Sequence, residues 1–267
     1  MPLPSEPRDE VFHLDPNATI SRLTAFIQEE VSRAGRQGVV LGLSGGVDSS
    51  LVAHLAVRAL GPRNVHGYLL PFRTSSGESF AHARLEADKL GIETQTVEIT
   101  GPAEALFRVL PSIDQRRMGN AMARVRMIVL YDRSEEYRAL VIGTSNRTET
   151  LLGYGTLHGD AAWGINPIGD LYKTQVRQLA RAVGVDASIV DKPPTADLWV
   201  GQTDEGEMGV TYDLADRVLY LAVDLRMAPA QIVELGYPGD SVDRVFKMVK
   251  ASEFKRCMPP VAKIGIS

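Results

Sequence analysis

The chain has very little cysteine and no long apolar run. Among its 267 residues Cys257 is the single cysteine, which excludes an internal disulfide and a cysteine-based zinc site. No apolar stretch approaches the roughly 20 residues that a membrane-spanning helix requires. The 29 basic and 33 acidic residues give a formal net charge of −4, and no dense lysine and arginine run offers a surface for duplex nucleic acid. We therefore expect a cytoplasmic globular protein with no nucleic-acid or membrane partner.

The N-terminal sequence MPLPSEPRDEVFHLDPNA is rich in proline and polar residues. It lacks the order of a secretory signal, in which a basic segment precedes an apolar one. We expect residues 1–18 to be a flexible segment. Residues 19–267 are expected to form a single domain, because no linker rich in proline, glycine and serine is long enough to mark a second one.

From residue 19 onward the apolar pattern alternates between helical spacing and short buried strands. The predicted strands cover residues 39–43, 64–71, 92–99 and 139–145. The predicted helices cover residues 19–34, which Gly35 ends, 47–60, 76–90 and 119–136, and then 173–183, 212–225, 229–235 and 240–251. Strands that alternate with helices at this spacing indicate parallel pairing with crossover helices. The pattern predicts an α/β fold with a doubly wound, open parallel sheet and a helical C-terminal third.

The sequence SGGVDS, residues 44–49, lies between the first predicted strand and its helix. Gly45 and Gly46 allow backbone N–H groups to curl around an anion, and Ser44, Ser49 and the helix N-terminus add further donors. The loop lacks the lysine of GxxxxGK[ST] and the spacing of GxGxxG. Asp48 would need a cation between its carboxylate and a phosphate, and magnesium is the natural candidate. The alternative is a tight strand-to-helix connection without a ligand.

The SGG-x-DS pattern resembles the signature of the ATP-pyrophosphatase superfamily, whose members cleave ATP between the α- and β-phosphates. That resemblance implies a Rossmann-like fold of the adenine nucleotide alpha hydrolase type. Longer stretches are similar to shared blocks of the NAD synthetases. These stretches are GNAMARVRM, LVIGTSNRTETLLGYGTLHGDAAWGINPIGDLYKTQVRQLA, KPPTADLWVGQTDEGEMGVTYDLAD and FKRCMPP. The resemblance implies ATP-dependent amidation of deamido-NAD by ammonia through an adenylated intermediate, which yields NAD, AMP and pyrophosphate.

The resemblance also bears on the nitrogen source and on assembly. Glutamine-using relatives carry an amidase domain with a cysteine nucleophile, whereas only about 40 residues precede the loop here and Cys257 lies near the other end. We expect free ammonia, or ammonia from a separate protein, to be the nitrogen donor. The family forms homodimers with the active site near the interface, and we expect the same of this chain.

The resemblance assigns roles to individual positions. Contacts to ATP are implied for Gly42, Leu43, Ser44, Gly45, Gly46, Val47, Asp48, Ser49, Thr144, Lys173 and Thr195. Arg73 is a further candidate, because its position in the loop after the second strand suits a contact to the adenosine or to a phosphate. Contacts to deamido-NAD are implied for Arg124, Arg126, His158, Asp160 and Lys255. Asp48 and Glu149 are the implied magnesium ligands, and Asp48, Asp160, Lys173 and Thr195 are the implied catalytic residues.

Several of these positions have a chemical reason for their role and also a structural alternative. Glu149 follows its strand as Asp48 follows the first strand, but a first-turn acid also stabilises a helix. Lys173 begins a helix whose N-terminus is already positive, which favours an anion over a solvated surface lysine. Thr144 and Thr195 could instead be helix caps. Lys173 and Thr195 would stabilise charge on the departing pyrophosphate.

For the deamido-NAD positions the alternatives are equally open. Asp160 could take a proton from ammonium, or its side chain could simply form an Asx-turn. Arg124 and Arg126 lie two apart on a helix and cannot both face one ligand squarely. Arg126 better matches the family's substrate arginine, and either could instead be a solvated helical residue. The family's His-Lys-Arg segment reads Phe254-Lys255-Arg256 here, which removes an imidazole donor.

Three histidines are not expected to bind a metal. His54, His66 and His82 have no metal-site spacing, so we expect them to be structural or solvated.

Another adenylating amidase or thiolase of the superfamily is the nearest alternative function, although no basic patch or CxxC motif suits a tRNA thiolase. A non-catalytic adenine-nucleotide-binding protein would need the loop but not Glu149, Lys173 or Asp160.

Overall fold

The computed structural model describes residues 9–199 and 201–265. Its strands are β1 (Gly38–Gly42), β2 (Val65–Leu69), β3 (Thr94–Thr96) and β4 (Ala139–Val141). The helices up to β4 and shortly beyond are α1 (Pro16–Arg33), α2 (Val47–Leu60), α3 (Gly77–Leu90), α4 (Thr100–Val109), α5 (Gln115–Glu136) and α6 (Arg147–Leu152). The later helices are α7 (Lys173–Val183), α8 (Ala187–Val190), α9 (Asp204–Met208), α10 (Tyr212–Leu219), α11 (Pro229–Glu234) and α12 (Gly239–Ala251).

The four strands form one parallel sheet in the order β3-β2-β1-β4. Val40 at the centre of β1 pairs with His66 of β2 on one side and with Val141 of β4 on the other. The chain therefore builds outward from β1 in one direction and then returns to add β4 on the opposite side. This reversal creates a crevice at the carboxyl ends of β1 and β4, where open α/β sheets bind their ligands.

Helices cover both faces of the sheet, as the continuous apolar strands predict. Val39 and Leu41 of β1 point into a core that includes Ile27 of α1, Leu51 of α2 and Leu179 of α7. Val40 points the other way, into a core with residues of α4 and α5. Because successive strand side chains alternate between faces, one short strand supports both layers. The predicted α/β fold with a doubly wound parallel sheet is confirmed.

The C-terminal third packs its own apolar cluster against the sheet layer, with contributions from α6, α10, α11 and α12. Phe12 belongs to this cluster, and its ring makes edge contacts with Tyr172 and Tyr220 at centroid distances of 5.5 and 5.8 Å. Helix α1 already begins at Pro16, where the Asp15 side chain accepts the N–H of Ala18. Packing thus extends into the segment 1–18 that was expected to be flexible, and residues 1–8 of that prediction lie outside the described residues.

Several element boundaries differ from the sequence prediction. The third strand is confined to Thr94–Thr96 at the sheet edge, and α4 was not predicted because Gly101 and Pro102 mask its start. A first-turn proline is tolerated because that N–H has no intrahelical partner. The predicted helix 212–225 divides into α10 and a π-helical turn, Tyr220–Asp224. Within the described part of the chain, no helix combines the length and the apolar character needed to cross a bilayer.

Candidate active site

The SGGVDS loop joins β1 to α2 at the carboxyl edge of the sheet. The hydroxyl groups of Ser44 and Ser49 are 3.0 Å apart, and Ser49 Oγ donates to the carbonyl oxygen of Gly46 at 3.1 Å. The N–H of Gly46 in turn donates to Ser44 Oγ at 3.3 Å. The two serine side chains, which were expected to face ATP, therefore also fix the shape of the loop.

The glycine and apolar residues of this loop can offer a phosphate only their main-chain N–H groups. Gly45 has a φ of +76°, and a Cβ atom there would lie 2.0 Å from the carbonyl oxygen of Ser79 in α3. Only glycine allows this close approach of loop and helix. Leu43 and Val47 are buried, and Gly42 and Gly46 have no side chain. The N–H groups here and at the start of α2 are the donors that this loop can offer to an anion.

A buried lysine joins the two carboxylates that follow β1 and β4. Lys173 Nζ lies 2.6 Å from Asp48 Oδ2 and 3.0 Å from Glu149 Oε1. Its side chain is 2% exposed, whereas those of Asp48 and Glu149 are 17% and 15% exposed. The alternative of a solvated surface lysine is wrong, because the N-terminus of α7 is packed inside the crevice. We call Asp48, Glu149 and Lys173 the crevice cluster.

The N-terminus of α6 holds Glu149 in place. Asn146 is its N-cap: the Asn146 side-chain oxygen accepts the N–H of Glu149 at 2.9 Å, and Glu149 Oε2 accepts the N–H of Asn146 at 3.3 Å. The Asn146 amide also donates to Asp48 Oδ1 at 2.9 Å. Glu149 thus completes a capping box as well as the crevice cluster. The N-cap alternative for Thr144 is wrong, because α6 begins only at Arg147.

The crevice cluster carries more acid than base. Burial, together with the charge of Asp48, raises the pKa of Glu149 to about 7, although Lys173 counteracts the shift. For Lys173, burial lowers the pKa, but the charges of Asp48 and Glu149 outweigh it, so the pKa is raised. The lysine therefore remains an ammonium ion between two carboxylates. This surplus of negative charge favours a second cation.

Within residues 9–199 and 201–265, no three His, Cys, Asp or Glu side chains surround a common metal position. Magnesium does not need such a cage, because it binds one or two carboxylates and completes its shell with substrate phosphates and water. Asp48 and Glu149 already bind the same ammonium group, so their oxygens converge on one cation. Their donor set and the raised pKa of Glu149 fit a magnesium ion that arrives with a polyphosphate.

Comparison with known proteins agrees with this geometry. The NAD synthase family model matches residues 19–259. The chain belongs to the NAD synthase family. It is 52% identical to the NH(3)-dependent NAD(+) synthetase of Trichlorobacter lovleyi over 243 residues, which cover 91% of this chain and 89% of the relative. It is 48% identical to that of Chlorobaculum parvum over 260 residues, 97% of this chain and 93% of the relative.

Two solved structures resemble this chain closely. The NH3-dependent NAD synthetase from Campylobacter jejuni matches with a TM-score of 0.81 at 32% identity, over 94% of this chain and all of that one. The NMN synthetase from Francisella tularensis matches with a TM-score of 0.84, also at 32% identity and with the same coverage. The family and fold implied by the sequence resemblance are confirmed.

Sequence reasoning missed a shell of hydroxyl groups around the crevice cluster. Tyr212 OH donates to Asp204 Oδ2 at 3.0 Å and lies 3.3 Å from Glu149 Oε1. The Tyr212 ring also lies 4.8 Å from Lys173 Nζ. Tyr154 OH reaches Asp204 Oδ1 at 3.0 Å, and burial raises the pKa of Asp204. The block KPPTADLWVGQTDEGEMGVTYDLAD contained two of these residues, but only the fold shows that they line the crevice.

The two arginines expected to bind substrate diverge along α5, as their spacing predicts. Arg126 is half-buried and donates from Nε to the carbonyl oxygen of Leu70 at 2.9 Å. Arg124 is exposed and donates from Nε to the carbonyl oxygen of Leu157 at 3.2 Å. Burial lowers the pKa of Arg126, although Asp197 and Asp160 counteract it. The two side chains thus attach to different loops at the sheet edge.

The turn that follows α6 carries the other residues expected to bind deamido-NAD. Asp160 is exposed and its Oδ1 accepts the N–H of Thr156 at 2.8 Å. The Asx-turn alternative is wrong, because that N–H lies four residues earlier rather than two later. His158 is exposed and has a φ of +62°. Lys255 Nζ donates to the carbonyl oxygens of Gly153 and Gly155, each at 2.8 Å, and so braces this turn.

Arg73 and Thr195 share no hydrogen bond or ion pair with the crevice cluster in the described residues. Arg73 is exposed and pairs with Glu104 at 2.8 Å. Thr195 Oγ1 accepts the N–H of Asp197 at 3.1 Å, and Asp197 accepts the N–H of Ser76 before α3. The helix-cap alternative for Thr195 is wrong, because α9 is capped by a later threonine. Thr195 instead lines an open pocket beside the start of α3.

The histidines have structural surroundings. His54 Nε2 lies 2.6 Å from Glu86 Oε2, and both side chains are buried. His66 stacks on the Tyr137 ring at 3.9 Å. His82 Nε2 lies 3.4 Å from the hydroxyl of Ser188. Cys257 is exposed.

Proposed function

We propose that this chain is an ammonia-dependent NAD synthetase that uses ATP to amidate deamido-NAD. The observation that carries the proposal is the crevice cluster, in which Lys173 joins Asp48 and Glu149 beside the SGGVDS loop at the switch point of the sheet. The curated relatives named above support the substrate and the nitrogen donor.

In the first half-reaction the loop and the crevice cluster bind the triphosphate. A carboxylate oxygen of the nicotinate group attacks the α-phosphorus, the bond to the β-phosphate oxygen breaks, and pyrophosphate leaves. The loop N–H groups and the N-terminus of α2 hold the departing phosphates. Lys173 keeps its proton beside two carboxylates, so it supplies positive charge where the leaving group gains negative charge. Magnesium, held by Asp48 and Glu149, would neutralise the phosphate oxygens.

In the second half-reaction ammonia attacks the carbonyl carbon of the adenylate, the bond to the AMP oxygen breaks, and AMP leaves. Ammonium must lose a proton first, because only ammonia has a lone pair. Asp160 is exposed at the turn after α6 and can accept that proton. Arg124, His158 and Lys255 lie at the same turn, and Arg126 is close enough to Asp160 for its charge to act on the guanidinium group. These four residues are the proposed contacts to deamido-NAD. Arg73, Thr144 and Thr195 are proposed to contact ATP. These substrates favour a cytoplasmic location.

We further propose a homodimer that forms through α5. Arg124, Ile128 and Tyr131 follow the spacing of one helical face, and the exposed fractions of Ile128 and Tyr131 are 69% and 43%. A second copy on this face would cover an apolar stripe that continues into a proposed substrate residue. Ile128→Asp is expected to convert a dimer into monomers in sedimentation velocity. Val233→Asp, at another exposed apolar position, is the control and should stay dimeric; a monomeric unmodified chain would contradict the proposal.

The function is tested by following pyrophosphate and NAD with each component omitted in turn. Pyrophosphate release should require deamido-NAD, and NAD should appear when ammonium is added. Asp48→Asn and Glu149→Gln should each lower turnover by about 100-fold, since each removes a charge that acts on the phosphates. Asp132→Asn, a matched change at an exposed acid, should turn over normally.

Two further outcomes separate the alternatives. Nicotinate mononucleotide replaces deamido-NAD in a parallel assay, because one of the similar structures is named an NMN synthetase. Faster amidation of the mononucleotide would overturn the substrate assignment. Pyrophosphate release with neither acceptor would point to another adenylating enzyme. ATP binding without any turnover would support a non-catalytic nucleotide-binding protein.

A further inference from the structure

Helix α10 carries a buried carboxylate that touches neither the loop nor the crevice cluster directly. The Asp216 side chain is fully buried, although no charged residue pairs with it in the described part of the chain. A buried carboxylate is costly unless hydrogen bonds satisfy it. Asp216 is satisfied by residues adjacent in sequence to Glu149 and Lys173.

The contacts of Asp216 form a closed ring between three helices. Its Oδ1 accepts the hydroxyl of Thr148 in α6 at 2.5 Å. Its Oδ2 accepts the backbone N–H of Thr174 in α7 at 2.8 Å and also the Thr174 hydroxyl. The ring closes between α6 and α7, because Thr148 Oγ1 accepts the backbone N–H of Lys173 at 2.9 Å. That bond directs the Thr148 hydroxyl hydrogen towards Asp216.

The ring has the right position to control the crevice cluster. Thr148 immediately precedes Glu149 in α6, and Thr174 immediately follows Lys173 in α7. A shift of either helix would change the 3.0 Å distance between Lys173 Nζ and Glu149 Oε1. The carboxylate also lies at the N-terminus of α7, where negative charge offsets the helix dipole.

A second acid, in the turn that follows α10, contacts residues next to those of the ring. Asp224, in the π-helical turn after α10, accepts the Tyr172 hydroxyl at 2.5 Å and pairs with Arg147 at 2.6 Å. Arg147 and Tyr172 directly precede Thr148 and Lys173 in sequence. The π-turn changes the helical phase and brings this second acid to the same junction. Helix α10 and the π-helical turn thus hold Arg147 and Thr148 at the start of α6, and Tyr172 and Thr174 at the start of α7.

We propose that Asp216 is a positioning residue for the reaction, which sets the distance between Lys173 and Glu149 through Thr148 and Thr174. The proposal rests on the proposed function for its catalytic consequence. Asp216 does not touch ATP, so its loss disturbs the alignment of the charged groups more than the binding of substrate. The effect therefore falls on kcat rather than on KM.

Three variants test the ring, with NAD formation as the assay. Asp216→Asn keeps the volume but places an N–H donor against the donors of Thr148 or Thr174. It should lower kcat by about 100-fold and leave the KM for ATP within about twofold, as expected for misaligned catalytic groups. Thr148→Val, which removes the hydroxyl at equal size, should lower kcat in the same way. Thr148→Ser, which restores the hydroxyl, should return kcat to within about twofold of the unmodified chain.

A control separates positioning from stability. Val218→Ala shortens another buried side chain of α10 outside the ring, so it should lower Tm while kcat and KM stay unchanged. If Asp216→Asn and Thr148→Val behave like Val218→Ala, Asp216 is merely structural and the proposal is overturned. Should Asp216→Asn fail to fold, the Thr148 pair decides by the same criterion.

Amide hydrogen exchange keeps the proposal distinct from the proposed function. Thr148→Val should speed exchange at the amides of Lys173 and Thr174, and Thr148→Ser should not. If the unmodified chain forms no NAD while this exchange pattern is found, the proposed function fails and the ring itself stands. If the unmodified chain is active and neither exchange nor kcat responds to Thr148→Val, the positioning role is overturned.

Discussion

Two buried clusters in this chain have opposite balances of carboxylates and hydrogen-bond donors. The crevice cluster, Asp48, Glu149 and Lys173, shares one ammonium group between two carboxylates. The second cluster, which we call the helix joint, consists of His54 in α2, Glu86 in α3 and the backbone N–H of Asp186 before α8. There the Glu86 carboxylate accepts two hydrogen bonds, from His54 Nε2 at 2.6 Å and from the backbone N–H of Asp186 at 2.8 Å.

The pKa values of the two glutamates move in opposite directions for this reason. Burial acts to raise the pKa of both. At Glu149 burial prevails, and the pKa rises to about 7. At Glu86 the hydrogen bonds from His54 and Asp186 outweigh burial, and the pKa is lowered. The difference lies in the neighbouring charges, because Asp48 acts against ionised Glu149 whereas only donors and cations act on Glu86. Asp48 and Glu149 are therefore suited to bind an additional cation.

Removing the lysine of the crevice cluster should have the largest effect. Lys173→Met keeps the length of the side chain but leaves Asp48 and Glu149 without a counter-ion. We expect turnover to fall by about 1000-fold, because charge on the leaving pyrophosphate loses its stabilising partner. The matched control is Lys89→Met, which removes a lysine 3.9 Å from Glu86 in the helix joint. Pyrophosphate release should be normal in that variant, and an equal loss in both would contradict the comparison.

Neutralising Glu149 should separate activity from stability. Its folded pKa of about 7 lies above its ordinary 4.5, so ionised Glu149 costs the ligand-free fold stability as pH rises from 4.5 to 7. Glu149→Gln removes that cost. Its Tm, relative to the unmodified chain, should increase across this range and level off above pH 7, while turnover falls by about 100-fold. A lower Tm for the variant than for the unmodified chain at pH 8 would show that ionised Glu149 stabilises the fold, which would contradict this prediction.

The same substitution in the helix joint should give the reverse result. Glu86→Gln removes the charge that holds His54 and the Asp186 backbone. We expect a loss of about 1 to 3 kcal/mol in the free energy of unfolding, with turnover per folded molecule unchanged. Urea unfolding and steady-state assays on the same preparation measure both quantities. A loss of turnover without a loss of stability would show that Glu86 takes part in catalysis, which would contradict this prediction.

Lowering the pH should produce the smallest effect, a gradual loss of the stability that Glu86 contributes. Because the pKa of Glu86 is lowered in the fold, its contribution is complete above the ordinary value of 4.5 and disappears as pH falls through the lower folded value. The stability difference between the unmodified chain and Glu86→Gln should shrink as pH falls below about 4.5. Urea midpoints at pH 3 to 6 follow this difference, and a difference that stays constant would rule out the linkage.

Local sequence was sufficient for the features that depend on neighbouring residues. The apolar runs predicted the parallel sheet, and the positions of Asp48 and Glu149 after their strands predicted that both lie at one edge. The start of α7 at Lys173 was also predicted. Asn146 was missed as the cap of α6 because Thr144, Ser145 and Asn146 can all cap, and only the helix start distinguishes them.

Features built from distant residues could not be predicted from sequence. Tyr212 reaches Glu149 across 63 positions and Asp216 reaches Thr148 across 68. Periodicity reports which face of a helix is buried, but not which polar group it meets. His54 and Glu86 appeared as an isolated histidine and an ordinary helical acid, because their contact depends on how α2 and α3 cross. Such joints become visible only when the helices are placed.

If the crevice cluster acts on ATP as proposed, the nicotinate oxygen attacks the α-phosphorus and pyrophosphate leaves. Deamido-NAD labelled with ¹⁸O in its nicotinate carboxylate tests this directly, with ATP and ammonium present and the products followed by ³¹P NMR and mass spectrometry. We expect pyrophosphate, together with AMP that carries one ¹⁸O atom, each in an amount equal to the NAD formed. Unlabelled AMP, or ADP and orthophosphate as products, would contradict it.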